Sequence, residues 1–367
     1  MKDKKIKLSI KYKKQIICLF EKHASDVEVW AYGSRVSGDC HSGSDLDLVL
    51  RAEKLNKIQP EKMNNLIEAF TESNIPFLVE LRDWARLSDS FKKEIESNYV
   101  VLFKPAVSVD YFEINEKFWN NWSKQKGPWS RKYSSKRMQE ARQGHVDIAP
   151  PGWLPKNLKD LNILGLAAGG GQQMPLLSAG GAHVTSFDFS EEQLKRDREV
   201  CKEEGLKIKT QKGNMEDLSI FSSESFDIVI NPVSTCFTAN VRKVYKEVYR
   251  VLKTGGCFLT SFMNPVFYAL NQDHDQIKEM RLVNLIPYSD VKSLSKKEIE
   301  EIIKDKDSLE FGHSLSDLIG GQTDLGFKIM EFREYKWKDF GRGKEFDHPI
   351  DTILPTFIST KAVKSSN

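Results

Sequence analysis

The sequence is short of cysteine and lacks any long apolar run. Five cysteines lie scattered among 367 residues, and no two of them form a Cys-x-x-Cys pair. This pattern excludes a disulfide framework and a zinc ribbon. No run of about 18 apolar residues occurs, so no membrane-spanning helix and no membrane partner are expected. Residues 1–14 are basic without the apolar segment of a signal peptide. We therefore predict a cytoplasmic protein.

Net charge is also nearly absent. The chain has 55 Lys and Arg against 52 Asp and Glu, a formal charge of +3. A nucleic-acid partner is therefore not indicated. The apolar fraction of 40% and the charged fraction of 29% are ordinary for a globular protein. A chain of this length is too long for one compact core, which favours two domains.

Three stretches of the chain differ in residue composition and in hydrophobic pattern. Residues 7–104 have the pattern of a small α/β domain, with strands predicted at 27–32, 46–50 and 77–81. Residues 105–158 form an aromatic-rich connector or cap, whose tryptophans are expected to cover the core of the second domain or, alternatively, to face a substrate as a lid. In residues 159–364 strands alternate with helices, which predicts a parallel sheet with helices on both faces. The predicted strands of this part are 161–166, 183–188, 207–210, 226–231 and 257–262.

A polar loop of the first domain contains two acids and a Gly-Ser turn. Gly33 and Ser34 follow the first predicted strand, and Asp45 and Asp47 lie where the next one begins. Alternation along a strand places Asp45 and Asp47 on one face. Adjacent carboxylates repel unless a cation lies between them, and oxygen ligands suit Mg²⁺. The turn offers backbone N–H groups and a hydroxyl to a phosphate.

This loop has the pattern Gly-Ser, ten further residues and then Asp-x-Asp. In this pattern the first domain resembles the minimal nucleotidyltransferases of the polymerase-β superfamily. The resemblance implies that Asp45 and Asp47 bind Mg²⁺. It also implies that Glu80, where the family often has Asp, is a third metal ligand and activates the attacking hydroxyl. Gly33 and Ser34 would then hold ATP or another NTP as the nucleotidyl donor. Members of this family often act as antitoxins that transfer AMP to a toxin, so a protein partner is one alternative.

The second domain has a glycine-rich turn, Ala167 to Gln172, between a predicted strand and helix. Such a turn lets the backbone approach a ligand closely. Asp188 ends the following strand, where an acid is suited to accept hydrogen bonds from ribose hydroxyls. Asn214 and Met215 follow the third strand, and Asn231 ends the fourth.

The order and spacing of these segments, with the run 244–256, resemble the class I S-adenosylmethionine (SAM) methyltransferases of type 11. The resemblance implies a Rossmann-like, seven-stranded domain with SAM as cofactor. Gly169 and Gly171 would contact the methionyl part, Asp188 the ribose, and Asn214 with Met215 the adenine. Gly165 stands where the family usually has an acid, and Ala167 where it has its first glycine. Another group must therefore hold the methionine ammonium.

Two further residues are weaker candidates. Asn231 opens Asn-Pro-Val-Ser, which departs from the Asn-Pro-Pro-Tyr of amino-methylating enzymes, so nitrogen methylation is not implied and a turn lining the site is expected. His313 is a candidate general base, although a structural histidine is the more common case. We expect a SAM-dependent methyltransferase with a small-molecule substrate and an N-terminal metal-dependent nucleotidyltransferase domain. The alternatives are a regulatory, antitoxin-like N-terminal module and a nucleotide-sensing pseudoenzyme.

Overall fold

The chain forms two compact units in the computed structural model, which describes residues 6–41, 43–105, 109–270, 280–336, 339 and 349–365. The N-terminal unit contains Met1–Ser108 and Val291–Lys296, and the C-terminal unit contains Val109–Asp290 and Lys297–Asn367. Within the described residues, no helix is both long and apolar enough to cross a bilayer.

The N-terminal unit is a four-stranded mixed sheet with helices on both faces. Its strands follow the order β3-β2-β1-β4; β2 and β3 are parallel, and the other neighbours are antiparallel. The strands are β1 (Glu28–Tyr32), β2 (Leu46–Arg51), β3 (Val79–Asp83) and β4 (Val100–Phe103). The helices are α1 (Ile10–His23), α2 (Ser34–Ser37), α3 (Pro60–Thr71) and α4 (Asp89–Ser97).

Each face of this sheet packs against its own apolar core, and successive residues of β2 point alternately into the two cores. Leu48 faces one core, which includes Phe20 of α1 and Leu66 of α3. Val49 faces the other core, which includes Trp84 and Ile95 of α4. A continuous apolar strand of this kind is typical of a sheet covered on two faces. This confirms the small α/β fold predicted for the first domain.

The C-terminal unit contains a seven-stranded sheet in the order β12-β13-β9-β8-β5-β6-β7. Its strands are β5 (Asn162–Leu166), β6 (His183–Asp188), β7 (Lys209–Lys212), β8 (Phe226–Asn231), β9 (Leu252–Met263), β12 (Phe327–Tyr335) and β13 (Phe357–Lys364). A separate pair consists of β10 (Tyr288–Ser289) and β11 (Phe311–Gly312). The chain's remaining helices are α5 (Tyr111–Lys124), α6 (Ser135–Arg142), α7 (Gln173–Ala179), α8 (Glu191–Glu203), α9 (Val241–Val251), α10 (Pro265–Ala269), α11 (Asp290–Ser293), α12 (Lys296–Asp305) and α13 (Gly321–Thr323).

The five neighbouring strands β9, β8, β5, β6 and β7 are parallel, and β13 is antiparallel to both β9 and β12. This confirms the predicted Rossmann-like, seven-stranded architecture. The carboxyl ends of the parallel strands meet at one edge of the sheet, where open α/β sheets bind their ligands. The segments predicted to contact the cofactor follow β5, β6 and β7, and therefore converge there.

Helix α9 shows how the sequence builds this core. Its buried residues recur at helical spacing and form one apolar face against the sheet: Val241, Val244, Tyr245, Val248 and Val251. The helix begins after Asn240, whose side chain accepts a hydrogen bond from the backbone N–H of Lys243. Its apolar face packs on Phe258 of β9.

Helix α5 belongs to the aromatic-rich stretch that precedes the sheet. Asn115 is fully buried; its side chain donates to the carbonyl of Leu309 and accepts from the N–H of the same residue. Trp119 meets the ring of Phe237 edge-on at 5.3 Å between centroids. Trp153, further along, is buried in the core beneath the sheet.

Candidate active sites

The predicted acids of the N-terminal unit lie side by side on its sheet. Tyr32 of β1, Asp47 of β2 and Glu80 of β3 are cross-strand neighbours in one row, and Asp45 directly precedes β2. Burial raises the pKa of Asp47, and the nearby Glu80 and Asp45 charges raise it further. The sequence thus brings the carboxylates close enough to repel one another, which is the electrostatic condition for a cation site.

Gly33 brings the Gly-Ser turn against these acids. Its φ of +72° lies in the region that favours glycine, and an added Cβ would collide with Oδ2 of Asp47. Helix α2 starts at the next residue, Ser34. The predicted phosphate-binding turn and the predicted metal ligand are therefore in direct contact.

Arg35 holds the other end of this loop, a role that the sequence analysis missed. Its guanidinium donates to the carbonyls of Ser44, at 2.5 and 3.0 Å, and of Asp45, at 3.2 Å. It also lies 4.1 Å from the centroid of the Phe77 ring, and the residue is only 5% exposed. The arginine next to the Gly-Ser pair was the available signal, because a buried arginine must find acceptors.

The donor set fits a divalent cation at the Asp45–Asp47 pair. Glu80 forms an ion pair with Arg82 in this structure, in which its Oε1 accepts a hydrogen bond from Nη2 of the arginine at 2.6 Å. Across the described part of the chain, no group of three or more His, Cys, Asp or Glu side chains is arranged to hold a metal ion. The role of Glu80 as third ligand stays a prediction.

Two buried carboxylates hold the glycine-rich loop of the C-terminal unit. Asp188 accepts from the N–H groups of Gly169, at 3.1 Å, and of Ser190, at 2.9 Å. Asp197 of α8 accepts from the N–H of Gly171 and from the hydroxyl of Ser186, both at 2.6 Å. Burial raises the pKa of Asp188 to about 6 and that of Asp197 to about 7. Asp197 was not expected from the sequence, because it belongs to no recognisable motif.

The two departures from the methyltransferase pattern have physical causes. At Gly165 an added Cβ would collide with Sδ of Met174, a residue with no exposed surface. The place of the usual acid is therefore filled by the thioether. Ala167 has a φ of +50°, so it keeps the backbone conformation for which glycine is the usual residue.

A cleft opens at the carboxyl ends of β5, β6 and β7. Asp188, Asn214 and Met215 meet in its wall, and Gly169 is joined to them through Asp188. The full lining is Phe112, Ala167, Phe187, Asp188, Phe189, Gly213, Asn214, Met215 and Phe237. Oδ1 of Asn214 already accepts from the N–H of Glu216 at 2.9 Å. A carboxylate, an amide and several aromatic rings around one cleft fit a nucleoside.

Three residues predicted from the sequence to belong to the site do not line this cleft: Gly171, Asn231 and His313. Asn231 is fully buried and donates to the carbonyl of Leu166 at 2.8 Å. Nε2 of His313 lies 3.0 Å from the carbonyl of Thr235. Because carbonyls only accept, this nitrogen carries a proton, and burial lowers the pKa of the ring. The site roles of these three residues stay predictions.

Comparison with known proteins assigns the two units to families. Residues 164–260 match a methyltransferase domain, and residues 14–106 match a polymerase beta nucleotidyltransferase domain. The chain is 38% identical over 257 residues to the uncharacterized methyltransferase YbaJ of Bacillus subtilis, covering 68% of this chain and 97% of that protein. It is 40% identical over 86 residues to the probable protein adenylyltransferase MntA of Haemophilus influenzae, covering 23% of this chain and 73% of that protein.

Among solved structures, the chain is similar to a SAM-dependent methyltransferase from Mesorhizobium loti, with a TM-score of 0.47 and 20% identity over 60% of this chain and 99% of the other. The YbaJ and MntA relationships carry the assignment. The chain belongs to the class I SAM-dependent methyltransferases through its C-terminal unit and to the polymerase-β nucleotidyltransferases through its N-terminal unit.

Proposed function

We propose that the C-terminal unit transfers the methyl group of SAM to a small molecule. The observation that carries the proposal is the position of Asp188, which ends β6 and lies in the cleft wall with Asn214 and Met215. SAM supplies a methyl group already activated on a sulfonium, so the protein has mainly to orient the reactants and exclude water.

The described residues fit these tasks. Each carboxylate oxygen has two acceptor positions, so Asp188 can accept from ribose hydroxyls while it holds Gly169 and Ser190. Phe112 and Phe237 provide aromatic walls that would exclude water from a bound nucleoside. Asn214 offers its amide to the edge of the base.

Calorimetric titration with SAM tests this proposal. Asp188→Asn removes a charged acceptor, and a hydrogen bond to a charged group contributes roughly 1.5–3 kcal/mol, so affinity should fall by at least about tenfold. Asp160→Asn is the matched control, because its side chain is 73% exposed on a loop before β5; it should bind SAM like the unaltered protein. Equal affinity of the Asp188 variant would refute the ribose role. Detection of any methyl transfer would exclude the pseudoenzyme alternative.

We infer that the N-terminal unit transfers a nucleotidyl group from ATP or another NTP with Mg²⁺. The contact between Gly33 and Asp47, beside Asp45, supports this inference. Mg²⁺ would supply charge neutralisation at the phosphates. The Gly-Ser turn would hold those phosphates through backbone N–H groups, and Arg35 would keep Asp45 in place.

Labelling with radioactive ATP tests the second activity. We expect incorporation that requires Mg²⁺, is lost with EDTA and falls at least 100-fold in Asp47→Asn. Glu96→Gln, an exposed acid of α4, should label normally. Incorporation that persists in Asp47→Asn would contradict the inference.

A protein acceptor is the second candidate for this unit. The printed name of the relative MntA, a probable protein adenylyltransferase, favours it over a small-molecule acceptor. In extract, label from ATP should then appear on a polypeptide that co-purifies with the chain. Label found only on small molecules would reject the protein acceptor.

A further inference from the structure

A second cluster of polar side chains, outside the lining of the cleft, lies at the carboxyl ends of the parallel strands of the C-terminal sheet. Cys236 belongs to the turn Thr235–Phe237 after β8, and Tyr268 belongs to α10 after β9. These are neighbouring strands whose carboxyl ends share the edge with the cofactor cleft. Phe237, the residue after Cys236, is itself part of the cleft lining. The cluster therefore adjoins the cofactor cleft.

The contacts of the cluster converge on one carboxylate. The hydroxyl of Tyr268 donates to Oε2 of Glu310 at 2.6 Å and is in hydrogen-bond contact with the Cys236 thiol. Tyr268 is 4% exposed and Cys236 5% exposed. β11 packs against the tyrosine, because a Cβ at Gly312 would lie 2.5 Å from Cγ of its ring. Glu310, the residue before β11, is thus fixed in position by Tyr268.

Glu310 has no cation beside it within the described residues. Its carboxylate forms no ion pair there, and Tyr268 is the one side chain that donates to it. Asp290, which accepts from its backbone N–H at 2.6 Å, adds another negative charge. Burial raises the pKa of Glu310 to about 7. A carboxylate in this setting can accept a proton at neutral pH.

Aromatic rings complete the surroundings. The ring of Tyr268 stacks on that of Tyr288, with 5.9 Å between centroids and 16° between planes. Phe311, next to Glu310, meets Tyr111 edge-on at 4.8 Å. An uncompensated carboxylate in apolar surroundings attracts a cation and repels an anion. Among small methyl acceptors, this charge pattern would favour an ammonium.

We propose that Glu310, positioned by Tyr268, is the proton acceptor of the methyl-transfer site, and that the methyl acceptor is a small molecule with a primary or secondary amine. This rests on the proposed methyltransferase function. The substrate ammonium gives one proton to Oε1 of Glu310, which leaves a neutral amine and a carboxylic acid. The nitrogen lone pair then forms the N–C bond as the C–S bond breaks. The methylated product carries the positive charge that the sulfonium loses.

The test uses the full chain, methyl-labelled SAM and the small-molecule fraction of a cell extract. The labelled products are separated on a cation exchanger at acidic pH beside a sample without enzyme, which marks the position of unreacted SAM because SAM is itself a cation. Methylated amines are retained at other positions, whereas neutral methyl ethers and esters are released. We expect label in the retained fraction. In Glu310→Gln the initial rate should fall at least about 100-fold, the lower range for general-base catalysis, with SAM affinity within twofold of the unaltered protein.

Tyr268→Phe is the second variant, in which we expect a smaller, roughly tenfold loss of rate, because the carboxylate remains but loses its donor. Glu301→Gln, on the exposed face of α12, is the matched control and should keep the full rate. SAM affinity serves as the folding check for every variant.

The outcomes separate the inference from the function on which it rests. Label in the unretained fraction, or an unchanged rate in Glu310→Gln, would overturn the inference while methyl transfer itself stands. Absence of both SAM binding and label would reject the proposed function. SAM binding without label in any fraction would reject small-molecule methylation and the amine acceptor together.

Discussion

At the residue scale, two glycines matter because a neighbouring side chain occupies the space of their missing Cβ. Gly33 lies against the carboxylate of Asp47, and Gly165 lies against the thioether of Met174. The first contact brings the Gly-Ser turn against a predicted metal ligand, whereas the second shows what fills the space where the methyltransferase family usually has an acid. Each contact leads to a substitution whose effect can be measured.

Gly33→Ala should abolish nucleotide incorporation, because the added methyl would displace Asp47. Overpacking of this kind lowers the free energy of unfolding by about 1–3 kcal/mol, in addition to the strain of a positive φ. Gly38→Ala is the matched control, since Gly38 has a φ of +101° and open space around it; it should lose stability but keep activity. Urea unfolding and ATP labelling measure the two effects. Equal activity losses in both variants would contradict the steric explanation.

Gly165→Ala should lower the free energy of unfolding by about 1–3 kcal/mol, because Met174 fills the space. In the double variant with Met174→Ala the new methyl has room, so the two losses should be strongly non-additive. A double-mutant cycle followed by urea unfolding measures the coupling. Simple additivity would show that the two side chains do not compete for one space.

At the element scale, the loop between β5 and α7 is held from one side by two carboxylates. Asp188 binds the N–H of Gly169, and Asp197 of α8 binds the N–H of Gly171. Ser186 of β6 gives Asp197 a second hydrogen bond. The glycine loop is therefore fixed by the neighbouring strand–helix unit, and its stability should depend on the ionisation of groups in that unit.

Asp197→Asn tests this dependence through pH. The pKa of Asp197 rises from 3.8 in the unfolded chain to about 7 in the folded one, so the folded state binds more protons between these values. Proton binding to Asp197 therefore contributes fully to the free energy of unfolding below about pH 4, and this contribution is lost as the pH rises through 7. The free energy of unfolding of the variant, minus that of the unaltered protein, should therefore increase by roughly 2–4 kcal/mol between pH 4 and 8.

Urea unfolding at several pH values measures this difference. Asp305→Asn, an exposed residue at the end of α12, should show no comparable trend. A difference for Asp197→Asn that is constant over the whole pH range would mean that the carboxylate stays ionised throughout.

At the scale of the whole molecule, each unit has its own hydrophobic core. Leu48 and Val49 lie in the cores of the N-terminal unit, and Tyr245 and Phe258 in a core of the C-terminal unit. The two family matches, at residues 164–260 and 14–106, fall in different units. Because each unit has its own core, we expect each to unfold on its own.

We expect two transitions in scanning calorimetry of the full chain. SAM at 100 times its dissociation constant should stabilise the C-terminal transition by about 2.7 kcal/mol and leave the other unchanged. ATP with Mg²⁺ should act on the N-terminal transition alone. At the same SAM concentration, a tenfold loss of affinity in Asp188→Asn should reduce the first effect to about 1.4 kcal/mol or less and leave the second unchanged. A single transition that both ligands shift would show that the units unfold together.

The sequence by itself determined the two families and the α/β class of both units. It did not determine the strand order of either sheet, and it missed strand β4 of the N-terminal unit. Each motif is local in the sequence, because Gly33 directly follows β1 and Asp47 lies near the start of β2, and the glycine turn and Asp188 lie within the β5–α7–β6 unit. Apolar periodicity located the central strands, because these are buried on both faces. It located five strands of the C-terminal sheet and missed β12 and β13, which carry many polar residues. Strand ends also shifted, as in β9, which starts at 252 rather than 257, because pairing rather than local pattern sets them.

Only the tertiary structure decided which distant residues support the sites. Asn115 meets Leu309 across 194 residues, and Tyr268 meets Glu310 across 42. Met174 fills the space next to Gly165, where the family usually has an acid, and Asp197 of α8 accepts a hydrogen bond from the loop that follows β5. No local pattern announces such contacts, because their energy arises from burial and hydrogen bonding that exist only once the sheet has formed.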